Sequence, residues 1–159
     1  MEFSGSSYYT ARPHESYLCA LRHRYVMAGS YRDLIAWQKA IALAHFIYEL
    51  TDSFPKREMF GLVSQLRRAA VSVPSNIAEG NGRLTRGEWQ QFLGHARGSL
   101  LEIETELIIS HRAKFISDVQ LDLVLARCSE VGRIINGLLR ASSERGVRKR
   151  FPRPDPPIY

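Results

Sequence analysis

Four arginines are the residues of this chain best placed by type and spacing to do chemistry: Arg67 and Arg68, which are adjacent, and Arg83 and Arg86, three apart. A guanidinium is a planar fork that can pair one phosphate through two parallel hydrogen bonds, so arginines gathered in one stretch point to a polyanion. Residues 53 to 87 hold six Lys or Arg against only Glu58 and Glu79, a local charge of +4. Arg67 and Arg68 would lie about 100° apart around a helix and cannot serve one face equally. One is expected to point outward, and the other to pair with a carboxylate of a neighbouring helix, with Glu102 as the expected partner.

Other chemistries find less support. A di-iron bundle needs Glu-x-x-His on two helices, because ligands three apart share a face. None of the five histidines follows a glutamate at that spacing, and His-Glu-x-x-His is absent. Glu102, Glu104 and Glu106 alternate along one expected helix, so they diverge around it. Glu79-Gly-Asn-Gly-Arg83 is rich in glycine but has no Lys-Ser/Thr and follows no strand, so helix capping explains it better than phosphate binding. The helical ribonucleases of toxin systems carry an Arg followed after four to six residues by His, and here Arg86 and His95 have eight residues between them. Cys19 and Cys128 cannot make a disulfide framework or a zinc knuckle. No Ser/His/Asp or Cys/His arrangement has a local signature, so no enzyme, metal or cofactor is expected.

The elements that must position the arginines are helices. Leu34, Trp37, Ile41, Ala44 and Tyr48 step by three and four, which predicts an amphipathic helix with that stripe inward. Phe54-Pro55 stops it. A second helix is expected from Pro55, carrying Leu62, Leu66, Ala70, Val73 and Ile77, kinked at Pro74 and closed by left-handed glycines at Gly80 and Gly82. Thr85-Arg-Gly-Glu88 reads as a capping box opening a third helix with Trp89, Leu93, Ala96, Leu100, Ile103 and Leu107 inward. Gly94 and Gly98 within it each cost about 1 kcal/mol relative to alanine, a loss that a close helix contact would offset. Ser117-Asp-Val-Gln120 is a second capping box, followed by Leu121, Val124, Cys128, Val131, Ile135 and Leu138. Stripes alternating by four and three describe left-handed, coiled-coil-like packing. The fold class expected is all-α, an up-down-up-down antiparallel four-helix bundle.

The 159 residues are 45% hydrophobic and 24% charged, ordinary values for one globular domain. The expected organisation is a poorly ordered extension over residues 1–30, the bundle over 31–143, and a basic, proline-rich tail over 144–159. Met27 offers an alternative start. The formal net charge is +6, but residues 31–139 hold only one more base than acid, while residues 140–159 carry six Lys or Arg against two acids. No apolar run approaches the roughly 20 residues of a membrane span, and residues 1–30 lack the apolar stretch of a secretory leader, so a cytoplasmic protein away from membranes is expected.

Four runs together resemble a known family: Tyr31-Arg-Asp-Leu-Ile-Ala-Trp-Gln-Lys-Ala40, Phe54-Pro55, Gln65-Leu-Arg-Arg-Ala-Ala-Val-Ser-Val-Pro-Ser-Asn-Ile-Ala-Glu-Gly80, and Ala96-Arg-Gly-Ser-Leu-Leu-Glu-Ile-Glu-Thr105. This is similar to the small four-helix bundle family encoded by intervening sequences of bacterial large-subunit ribosomal RNA genes, which includes the accessory variability protein of diversity-generating retroelements. The resemblance covers about residues 31 to 141. It implies a ring-shaped homopentamer that binds RNA or DNA and partners a reverse transcriptase, with Arg67, Arg68, Arg83 and Arg86 at the family's basic positions. The expected function is therefore a non-enzymatic nucleic-acid-binding accessory protein. The competing reading is a protein-interaction or scaffold module whose arginines are ordinary surface charge.

Overall fold

The computed structural model describes residues 30–147, with side chains up to residue 143. The expectations for residues 1–29 and for the tail from residue 148 lie outside the described residues. Four helices account for nearly all of the rest: α1 (Ile35–Asp52), α2 (Leu62–Asn81), α3 (Arg86–Arg112) and α4 (Asp118–Val147). Single 3-10 turns at Tyr31–Asp33 and Lys56–Glu58 precede α1 and α2. No strand occurs among the described residues. Short connections make successive helices antiparallel, and each packs on its two ring neighbours, α4 closing the square against α1. One end of the bundle gathers the end of α2, the start of α3 and the end of α4. The opposite end gathers the end of α1, the start of α2 and the turn from α3 to α4.

Both capping boxes form. Glu88 N–H donates to Thr85 Oγ1 at 3.3 Å while Thr85 N–H donates to Glu88 Oε2 at 3.2 Å. The Thr85 hydroxyl bond also holds the Glu88 carboxyl below the usual carboxylate range. Gln120 and Ser117 make the same reciprocal pair at the start of α4. The α3 stripe from Leu93 to Leu107 is buried, as is the α4 stripe from Val124 to Ile135, while Trp89, Leu121 and Leu138 sit partly covered at its margins.

Three details of the helices differ from the sequence expectation. In α1 the buried residues are Ala36, Ala40, Leu43, Ala44, Ile47, Leu50 and Thr51; of the predicted stripe Ala44 is buried and Leu34 and Trp37 pack against the core, whereas Ile41 and Tyr48 are 42% and 41% exposed. The inward face is rotated from the predicted stripe because α1 is apolar on several sides, and its alanines let the backbone approach its neighbours closely. In α2 the helix starts at Leu62 and not at Pro55: Pro55 has extended backbone and opens only the 3-10 turn, after which Met59 and Phe60 emerge into solvent. The helix then runs through Pro74 to Asn81, with Ser75 Oγ and Asn76 Nδ2 donating to the Val71 and Ser72 carbonyls beside the missing N–H.

The third difference concerns glycine. Gly82 ends α2 in right-handed geometry and no described glycine is left-handed; the left-handed residue is Lys114, φ 63°, after α3. There Lys114 N–H bonds to His111 O and Phe115 N–H to Ser110 O, the paired bonds of a Schellman ending. Phe115 then packs against Phe54 with the two rings tilted at 53°. Gly94 and Gly98 face nothing within 4 Å of where a Cβ would stand, so no helix of the same chain fills their surface. The close approach is made by Gly80 instead, where a Cβ would come within 2.7 Å of Phe92 Cβ and 2.8 Å of Trp89 Cε3. No helix among the described residues is long and apolar enough to cross a membrane.

Candidate nucleic-acid interface

The fold does not gather the four arginines into one patch. Arg67 and Arg83 stand 16 residues apart in sequence, about 24 Å along the α2 axis at 1.5 Å per residue, and so near opposite ends of the bundle. Each meets a different environment.

Arg67 turns toward the end of α1. Its Nη2 donates to Asp52 Oδ1 at 2.6 Å, its Nε to Thr51 Oγ1 at 2.9 Å, and its guanidinium lies 4.7 Å from the Tyr48 ring centroid. Asp52, not Glu102, is the internal carboxylate partner, because the Phe54-Pro55 corner brings the last turn of α1 beside the first turns of α2. Arg68 is exposed and donates to Gln65 Oε1 within its own helix. Behind it, on α3, Glu106 is half-buried, and its Oε2 is a buried oxygen without a hydrogen-bond partner. Burial raises the Glu106 carboxyl to about 7; the Glu102 charge adds to this and Arg68 opposes it. Tyr48, Met59, Phe60, Val63 and Val71 line an open groove of about 490 Å³ beside these two arginines.

At the other end Arg83 pairs with Glu79 one turn back and lies 4.6 Å from the Phe92 ring centroid. Arg86, in the first turn of α3, is exposed and has no hydrogen bond, ion pair or ring contact among the described residues. Arg86 and Trp89 form one wall of a cleft of about 240 Å³ whose other wall is Leu138, Ala141 and Ser142 of α4. Gln90 Nε2 fastens the two walls, donating to Ser142 Oγ at 3.0 Å and Ser143 Oγ at 3.2 Å. Arg140 is exposed on the same stretch of α4, its Nε donating to Asn136 O at 3.4 Å. Of the carboxylates at this end, Glu79 pairs with Arg83 and Glu88 accepts from the Thr85 cap, while Asp33 is exposed on the turn that precedes α1. Glu88 keeps its negative charge in the cap, so what distinguishes this end is that the Arg86 side chain is left without a partner among the described residues, whereas Arg67 is held by Asp52 at its own end.

Sequence reading missed the placement of Trp89 at a cleft. No local signal could have joined its walls, since 49 positions separate Trp89 from Leu138 and only the return of α4 past α3 brings them together. Nucleophilic chemistry gains nothing from Cys128: burial, reinforced by the Glu104 charge, pushes its thiol up to about 12, so no thiolate forms near neutral pH.

Comparison with known proteins adds three findings. Residues 32–137 match the family described as 23S rRNA-intervening sequence protein. A solved structure from Bacteroides thetaiotaomicron, of a protein with unknown function from the S23 ribosomal protein family, superposes with a TM-score of 0.61 at 19% identity. That superposition covers 67% of this chain and 99% of the other, and at this identity the likeness is one of fold. No curated protein matches the chain.

Proposed function

The chain belongs to the 23S rRNA-intervening sequence protein family, and from that premise we propose that it is a non-enzymatic accessory protein that binds nucleic acid, RNA or DNA, through phosphate attraction at the Arg83–Arg86 end of its bundle. The observation that carries this reading is Arg86, exposed and with its side chain unpartnered among the described residues, next to Arg83 at the same turn. Arg68 supplies a second, separate contact, and Arg67 contributes least, being held by Asp52 and Thr51. Several copies of the chain act together in this proposal, a pentamer as the resemblance implies. The open surface of α3 at Gly94, Gly98, Leu101 and Ile108 supports a seam between copies. A reverse transcriptase remains the protein partner proposed where the gene lies beside one.

The test is titration of a labelled RNA of mixed sequence across a salt series, with Arg83→Glu and Arg86→Glu combined. Affinity should fall by more than tenfold and the salt slope should flatten, with helicity and native mass unchanged. Equal affinity in the double variant would remove this surface from consideration.

A scaffold without nucleic-acid binding is the second reading, favoured by one feature: the apolar groove that runs from Tyr48 to Val71, flanked by Phe60 at 94% exposure. It predicts no RNA affinity at near-physiological salt, together with loss of a protein partner on Phe60→Ser.

A further inference from the structure

A surface that only attracts phosphates needs cations over polar ground. The cleft beside Arg86 is built differently. Its walls are mostly apolar, from Trp89, Leu138 and Ala141, and its volume of about 240 Å³ is suited to one flat ring system, not to a helix or a folded loop. Trp89 is also fixed in place. Its six-membered ring lies against Gly80, where even a methyl group would collide with Cε3 and Cζ3, and the neighbouring Gln90 ties α3 to α4.

We propose that this cleft receives one unpaired nucleobase of a single-stranded nucleic acid, with the base against Trp89 and the adjoining phosphate on Arg86. Stacking on an aromatic ring is sequence-tolerant because every base has a π-face, and a cation at the rim adds the backbone contact. The cleft offers little with which to read a base edge: Ser142 Oγ donates to Leu139 O and accepts from Gln90 Nε2. Preference among the four bases is therefore weak, while preference for single strand over duplex is strong, since paired bases stay inside their own stack. This inference rests on the Arg86 end being the nucleic-acid surface, and it names the form of nucleic acid bound there.

The experiment uses the full chain and three probes with the same number of phosphates: an oligothymidylate, an abasic strand of the same length and a duplex of half that length. The parent protein should bind the oligothymidylate at least about fivefold more tightly than the abasic strand or the duplex. Trp89→Ala should erase that preference and leave the abasic affinity and its salt slope in place. Because Trp89 also packs on Gly80, Ala141→Leu is the companion variant; it fills the cleft from its exposed rim without adding a π-face and should erase the preference equally. In a Trp37→Phe background Trp89 is the one remaining tryptophan, and its emission should be quenched by the oligothymidylate but not by the abasic strand. Equal affinity of the parent protein for all three probes would overturn the base cleft while leaving phosphate binding intact. A parent protein that binds none of them would overturn both readings, and a preference that survives in Ala141→Leu would place the base elsewhere.

Discussion

Replacing Glu106 by glutamine should stabilise the protein, and by an amount that depends on pH. In the folded chain the Glu106 carboxyl keeps its proton up to about pH 7, against an ordinary value of 4.5, because one oxygen is buried without a donor and Glu102 lies on the same helix. Between those two values the folded state holds a proton that the unfolded state has released, so stability falls as pH rises through this window, and the full penalty applies above pH 7. At 1.36 kcal/mol per pH unit the gap is worth about 3 kcal/mol as a ceiling. Solvent reaching this half-buried residue, together with the Arg68 charge, reduces the expected net effect to about 1–2 kcal/mol. For a domain of this size that is a rise in Tm of about 4–8 °C at pH 8, shrinking toward zero near pH 4.5. Thermal melts of both proteins at half-unit pH steps make the measurement. A difference that stays constant across pH, or a glutamine variant less stable at pH 8, would refute the account of Glu106 as a buried carboxylate lacking a donor.

Two further predictions concern backbone and packing. Gly80→Ala should lower stability by about 1–3 kcal/mol, since its methyl group collides with Phe92 and Trp89, whereas Gly137→Ala on α4 should raise it by about 0.5–1 kcal/mol because nothing stands over that position within the chain; urea denaturation of the two variants should show the opposite signs. Lys114→Gly should add about 1 kcal/mol, as glycine enters the left-handed geometry at φ 63° without the side-chain penalty, and an unchanged midpoint would deny that Lys114 is strained.

Local rules carried the sequence a long way in this protein. The helical class, both capping boxes and the inward faces of α3 and α4 follow from residues within a few positions of one another, where one hydrophobic stripe is opposed by a polar face. In α1 the same logic failed for a physical reason: with Ile35, Trp37, Ile41, Phe46 and Tyr48 spread around the helix, periodicity alone could not say which apolar side is buried. The Phe54-Pro55 stop was legible, but the six residues from Lys56 to Gly61 that intervene before α2 were not, because a 3-10 turn followed by two exposed apolar residues has no periodic signature.

The candidate site divides along the same line. That arginines cluster between residues 53 and 87, and that a guanidinium suits phosphate, is a matter of composition. Which of those charges stays available depended on the tertiary structure, since the partners come from other elements: Asp52 and Thr51 of α1 capture Arg67, and the end of α4 supplies the far wall of the cleft at Trp89. Charge neutralisation and cavity shape act across space, over distances of a few ångströms between residues tens of positions apart, so only the packing of four helices could separate the bound arginine from the free one.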